Sequence, residues 1–186
     1  MKTHLLVSLR MTVVLVVITC GIYPLVVYAL AQLAFREKAN GSFITRDGQV
    51  IGSELIGQPF TSDRFFHSRP SSSDYDATAS GGTNLGPTSK KLRDAVSSAV
   101  RSFDVHANVP ADAVTFSASG LDPHISPANA NAQAGRVARA NGVSVDQIRA
   151  LIVRSTEQRF LGVFGEPRVN VLALNLALDE RWPMRR

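Results

Sequence analysis

Residues Met11 to Phe35 form a run of 25 side chains without a single charge. No other feature limits the fold as strongly. Val, Leu, Ile and Phe fill about half of the run, and Gln32 is its most polar member. As a helix it would be ~37 Å long, enough to cross a ~30 Å hydrocarbon core with some tilt. Its roughly 13 large aliphatic or Phe residues give an upper bound near −4 to −8 kcal/mol for insertion. Tyr23 and Pro24 sit mid-span. Pro is tolerated there when neighbouring helices satisfy the carbonyl it frees, a hint of packing against partner helices.

Two other uses of such a run are weaker. Ala29-Leu30-Ala31 has the small-x-small form of a signal-peptide cleavage site, behind Lys2 and Arg10. The apolar stretch before it is about 18 residues, longer than the usual ~7–15. Val17-Ile18-Thr19-Cys20 only loosely resembles a lipobox. The expectation is therefore an N-terminal flank (1–10), an uncleaved transmembrane helix (11–35) and one soluble domain (36–186). Flanking charge does not decide orientation: Lys2 and Arg10 stand on one side, and Arg36, Lys38 and Arg46 on the other.

Cys20 is the sole cysteine and lies inside the span, so the following domain has neither a disulfide framework nor a thiolate metal site. The net charge of +5 includes Lys2 and Arg10 before the span, and every acidic residue follows it. No basic run is interleaved with aromatics, which argues against a nucleic-acid partner. Arg181, Arg185 and Arg186 read as a solvated tail.

Ala39 to Gln49 reads as a polar connector with Asn40-Gly41 and Asp47-Gly48 turn pairs. Gly52 to Phe60 suggests a short strand. Arg64 to Thr88 is rich in Ser, Gly, Pro, Asp and Thr, a long loop of the kind that is usually functional or disordered. Phe65, Phe66 and Tyr75 argue for order. Three helices are expected next. The first spans about Ser89 to Phe103, with Leu92, Val96 and Val100 on one face. The second opens at Ser126-Pro127, carries Ala130, Ala134 and Val137 inward, and ends at Asn141-Gly142. The third has a Ser144/Gln147 capping box and a stripe of Val145, Ile148, Leu151 and Ile152. Alternating Leu172, Leu174, Leu176 and Leu178 suggest a strand over Val169 to Leu178. Few strands and segregated helices predict an α+β domain.

No constellation declares an enzyme. Gly81 to Gly86 has the glycine spacing of a phosphate loop, but Pro87 and Thr88 stand where Lys and Ser/Thr belong. Ser80-Gly81-Gly82 is faintly similar to an ABC-transporter signature, with Thr83 in place of its Gln. Asp122-Pro123-His124 lacks the further ligands a metal needs, and a rigid turn feeding the second helix is the simpler reading. Ser117, Ser119 and His124 lack a Gly-x-Ser-x-Gly elbow. Glu157, Arg159, Glu166 and Arg168 suggest a salt-bridged corner, or a docking surface, around Gly162 and Gly165. An anchored hydrolase using Ser119 and His124, or a ligand-binding module released after Ala31, are the alternatives to an anchored accessory domain.

Several longer blocks are more specific. Gly81-Gly82-Thr83-Asn84-Leu85-Gly86-Pro87, Gly120-Leu121-Asp122-Pro123-His124-Ile125-Ser126-Pro127, Gly165-Glu166-Pro167-Arg168-Val169-Asn170-Val171-Leu172 and Leu174-Asn175-Leu176-Ala177-Leu178 occur in this order. Arg69-Pro70-Ser71 and Gly57-Gln58-Pro59-Phe60 accompany them. Together they resemble the C subunit of the bacterial Kdp potassium-transporting ATPase over nearly the whole chain. Thr83 for Ser, Gln158 where Gly is common and an Ala-rich second helix are the departures.

The resemblance implies a non-catalytic subunit with its domain outside the bacterial inner membrane. Its implied partners are a channel-like potassium-binding subunit, a P-type ATPase subunit, a very small membrane peptide and the lipid bilayer. ATP and potassium would be handled by the complex, with no cofactor assigned to this chain. Two roles are implied: a catalytic chaperone that raises ATP affinity, and a cap over the outer mouth of the channel-like subunit. Ser80, Gly81, Gly82, Asn84, Gly86, Pro87, Asp122, His124, Glu166, Arg168 and Asn170 are the expected docking surface.

Overall fold

The computed structural model describes residues 2–101 and 108–183, arranged as two compact units, Met1–Phe43 and Ile44–Arg186. The expected first-helix end at Phe103 and the tail residues Arg185 and Arg186 lie outside the described residues.

The first unit is dominated by one continuous helix, Lys2–Ala34, the one helix among the described residues long and apolar enough to cross a membrane. It begins nine residues before the charge-free run. It consists of α1 (Lys2–Val16), a π-helical turn (Val17–Ile22) and α2 (Tyr23–Ala34). Pro24 explains the wide turn. Its ring would strike the carbonyl four residues back, and it has no N–H to give. The helix widens just ahead of it, so that Tyr23 N–H donates to the Ile18 carbonyl, five residues back. The Thr19 hydroxyl donates to the Leu15 carbonyl at 2.7 Å, a back-bond that also loosens a helix. A short helix α3 (Arg36–Ala39) follows.

The second unit opens with a two-stranded sheet of β1 (Phe43–Arg46) and β2 (Gln49–Ser53). Asp47 and Gly48 join them, both at positive φ (51° and 76°), as a tight hairpin turn requires. The expected turn pair is therefore present. The strand expected over Gly52 to Phe60 is not: β2 ends at Ser53, and residues 54–89 contain neither helix nor strand. Gly57 and Pro59 favour this, and Gly57 donates instead to the Leu121 carbonyl at 2.9 Å. The long loop is ordered, and Phe66 within it is completely buried.

Helix α4 (Lys90–Arg101) and a single turn α5 (Ala111–Val114) precede β3 (His124–Ile125). Helix α6 (Pro127–Asn141) starts and stops where expected. The Ser126 hydroxyl accepts from Asn129 N–H, and Gly142 closes the helix at φ 66°. Helix α7 (Val145–Arg154) carries the full Ser144/Gln147 capping box. Then come β4 (Thr156–Glu157), β5 (Arg168–Asn170) and α8 (Val171–Arg181). Strand β5 lies between β3 and β4, antiparallel to both, pairing His124 with Asn170 and Thr156 with Val169.

Helix α8 corrects the strand expected over Val169 to Leu178. The strand ends at Asn170, whose side-chain oxygen accepts from Ala173 N–H at 3.0 Å and caps the helix. Within it, Val171, Leu174, Asn175 and Leu178 are buried, the i, i+3, i+4, i+7 spacing of one helical face. Alternating Leu and Ala suited both periods, and these strong helix formers behind an Asn cap settled it.

The core is α6 and α7 packed with α8 and β5. Ala130, Ala134 and Ala138, four apart, give α6 a thin buried face within one core cluster that also holds Ile148, Ile152, Val169, Leu174 and Leu178. The domain is α+β.

Candidate functional site

The long loop is held at its entry by two buried amides. Asn175 on α8 accepts from Phe66 N–H at 2.8 Å and donates to the Phe66 carbonyl at 2.9 Å. Gln133 on α6 does the same for His67, at 2.8 and 3.1 Å. Each side chain thus imitates the edge of a strand, satisfying both the N–H and the carbonyl of one residue, Phe66 buried and His67 half-buried.

From there the loop runs against the turn preceding β3. The Ser71 hydroxyl donates to the Gly120 carbonyl and the Ser72 hydroxyl to the Gly81 carbonyl, both at 2.6 Å. Gly81 N–H and the Ser80 hydroxyl both donate to the Ser119 carbonyl, at 2.8 and 3.0 Å. Ser117 N–H donates to the Pro70 carbonyl at 3.2 Å. The Tyr75 hydroxyl donates to the Arg69 carbonyl at 2.6 Å, and its half-buried phenol is pushed above the ordinary Tyr range by desolvation. Gly82 has a packing reason as well. A Cβ there would lie 2.8 Å from the Ala118 carbonyl oxygen.

Asp122 is the polar centre of this turn. Its carboxylate meets the Arg69 guanidinium at 3.0 Å and accepts from His124 N–H at 2.9 Å, with His124 Nδ1 3.6 Å away. Burial alone would raise its pKa. Hydrogen bonds from His124 side chain and backbone, and from Arg69, outweigh that and hold the carboxyl below the usual Asp range. Arg69 also donates to the Phe116 carbonyl at 3.3 Å, tying the loop to the turn a second time.

Strand register carries the turn to the third group. His124 pairs with Asn170, and the Pro123 carbonyl accepts from Val171 N–H at 2.9 Å. The Asn170 amide also donates to the Glu54 carbonyl at 2.8 Å. Arg168 and Glu166 stand on the adjoining β4–β5 hairpin. Arg168 pairs with Glu157 at 2.9 Å and Arg159 with Glu166 at 3.3 Å. All four are exposed. Such pairs contribute about 0–1 kcal/mol each. A cleft of about 660 Å³ separates turn from hairpin, bordered by Arg69, Asp122, His124, Ser126, Phe160 and Arg168.

The structure therefore brings Ser80, Gly81 and Gly82 onto the Ala118–Gly120 stretch that leads into the Asp122–His124 turn, with Asn170 paired to His124 beside it. Asn84, Gly86 and Pro87 lie further along the same loop and are exposed. Asn84 adopts φ 51°. Arg69, Ser71, Ser72 and Tyr75 do much of the fastening and lie outside the docking surface expected from the sequence. The density of Ser before Gly81 was the available signal. Ser119 and His124, which a hydrolase would bring together, have separate partners: the Ser119 hydroxyl accepts from Leu121 N–H at 3.1 Å, while His124 faces Asp122. Among the described residues no group of three or more His, Cys, Asp or Glu side chains is placed to hold a metal ion.

Residues 5–180 match the family described as KdpC, the c chain of the K+-transporting ATPase. The chain is similar to the potassium-transporting ATPase KdpC subunit of Koribacter versatilis, with 53% identity covering 99% of this chain and 98% of that one. It is similar to the subunit of the same description from Gloeobacter violaceus, at 52% identity over 92% and 93% of the two chains. The Mycobacterium bovis subunit is 52% identical over 96% of this chain and 99% of its own.

Proposed function

The chain belongs to the KdpC family, the c chain of K+-transporting ATPases, and from that premise we propose that it is the part of the complex that covers an outer surface of its partners. It is a non-catalytic subunit. Its N-terminal helix serves as a single membrane anchor. In the proposed arrangement the domain stands outside the inner membrane, and the loop cluster of Ser80–Pro87 with the Asp122–His124 turn faces the mouth of a channel-like potassium-binding subunit. A P-type ATPase subunit and a small membrane peptide complete the assembly.

One observation carries this reading. Two segments 39 positions apart in sequence, around Ser80 and Ser119, are fastened into one surface. The fastening uses backbone carbonyls and hydroxyls. It leaves Asn84, Gly86 and Pro87 exposed for a partner.

A role as catalytic chaperone fits the same placement only indirectly. An outward domain is separated from a cytoplasmic nucleotide site by a ~30 Å hydrocarbon core. Any gain in ATP affinity is then a coupling free energy carried by partner helices, and the chain itself binds no nucleotide in this account.

The test is recovery of partners. The tagged chain is purified in mild detergent from potassium-starved cells. A large polytopic subunit and a P-type ATPase, with potassium-stimulated ATP hydrolysis, are expected alongside it. The chain alone, with the partners shown to be expressed, would count against the reading.

A further inference from the structure

The β4–β5 hairpin ends in the sequence Phe160-Leu161-Gly162-Val163-Phe164, and its four large apolar side chains point outward. Phe160 is 72% exposed, Leu161 76%, Val163 72% and Phe164 64%. Folded domains rarely leave so concentrated an apolar patch uncovered. The tip is also rigid. Phe160 and Phe164 exchange both backbone hydrogen bonds at 2.9 Å, Gly162 N–H donates to Arg159, and Val163 N–H donates to Phe160. Leu161 and Gly162 both have positive φ (53° and 74°). A Leu in the left-handed region is uncommon, since Gly or Asn would sit there with less strain. The position therefore spends backbone energy to present an apolar side chain, a pattern associated with binding sites.

Resting on the accessory-subunit reading, we propose that this tip is the apolar anchor of the subunit's interface, inserted into an uncharged recess on a membrane-embedded protein subunit of the same ATPase. Two features favour a protein over lipid as the occupant. The rim is of mixed charge, with the Glu166 and Glu157 carboxylates beside the Arg159 and Arg168 guanidiniums. That matches the polar rim around an apolar centre in protein interfaces, whereas two carboxylates balanced by two guanidiniums give the rim no net attraction to a charged lipid surface. The tip is also continuous with polar structure. Phe160 and Phe164 border the same cleft as Asp122, His124 and Arg69, so a partner seated on the tip also reaches the fastened turn. A pre-formed hairpin loses little freedom on docking, and aromatic side chains, Phe included, are enriched at the cores of protein interfaces.

The experiment places the photoreactive residue benzoylphenylalanine at 161 in the full chain within its membrane complex. Irradiation is expected to join the chain to a polytopic partner subunit. A lipid adduct alone, or no adduct in a complex that still purifies intact, would overturn the inference. In parallel, the double variant Leu161→Asp with Val163→Asp is expected to keep the wild-type circular dichroism spectrum and melting temperature, because both positions are exposed. Recovery of the partners should fall by about ten-fold or more. Recovery equal to wild type would contradict the proposal while leaving the accessory-subunit reading intact. Failure of the wild-type chain to recover any partner would instead remove that reading, and this inference with it.

Discussion

Replacing Asn175 with Ala is expected to lower the stability of the domain by about 3–5 kcal/mol. Asn175 is 2% exposed, and its amide satisfies both polar groups of Phe66, which is itself wholly buried. Truncation leaves an N–H and a carbonyl without partners in a place water does not reach, at ~1–3 kcal/mol each. At roughly 4 °C per kcal/mol for a domain of this size, the melting temperature should drop by about 10–20 °C. Glu180→Ala, on the exposed side of the same helix, should stay within ~0.5 kcal/mol. Thermal unfolding followed by circular dichroism in detergent checks both. A loss under ~1 kcal/mol for Asn175→Ala would mean that the loop entry is held by something other than this amide.

The second large effect separates two glycines of one surface. Gly120 has φ 70°, and a Cβ there would strike the Ser73 hydroxyl and lie 3.0 Å from the Gly81 carbonyl oxygen. Gly120→Val combines a left-handed β-branched residue, at ~1–3 kcal/mol, with displaced hydrogen bonds between loop and turn at ~1 kcal/mol apiece. A destabilisation of about 2–4 kcal/mol is expected, together with exposure of the Pro70–Gly82 segment to limited proteolysis. Gly81→Ala should be nearly silent, because Gly81 has nothing within 4 Å of a Cβ and no positive φ. Equal effects at the two positions would show that loop and turn are not fastened as described.

The contrast between these glycines shows where sequence stops. Gly81 and Gly120 look alike in the chain, and only the left-handed backbone of Gly120 and the approach of Ser71, Ser73 and Gly81 to it distinguish them. What was legible rested on local rules. The charge-free run, the Ser126-Pro127 start, the Gly142 stop and the Ser144/Gln147 box each follow from interactions within a few residues, and all are present. The strand expected over Val169 to Leu178 gives way to helix from Val171 on because the Leu and Ala spacing there suits both periods. Its resolution depended on Asn170 acting as a cap after the strand rather than as part of it. The Asn175 and Gln133 clasps were not legible. Each joins an ordinary helical amide to a backbone unit 109 or 66 positions away, and no local pattern marks such a pair. The fastening of loop to turn was foreshadowed only by the family blocks, which set the Gly-rich and Asp122-Pro123-His124 segments side by side as expectations without saying that they touch. The exposed apolar tip, Phe160 to Phe164, carries no local mark of its exposure, because the charges on either side of it suggest only a salt-bridged corner.

Cysteine accessibility at Asn84 tests the proposed placement of the loop cluster most directly. Asn84 is exposed, and the one natural cysteine, Cys20, lies within the apolar helix, so wild type supplies the background. Asn84→Cys is treated in intact cells with a bulky maleimide that does not cross the inner membrane, after the outer membrane has been permeabilised. Rapid labelling is expected when the chain is made without its partners, and strong protection when the partners are present. Equal labelling in both cases would contradict the cap, and labelling only after the inner membrane is broken would place the domain on the other side.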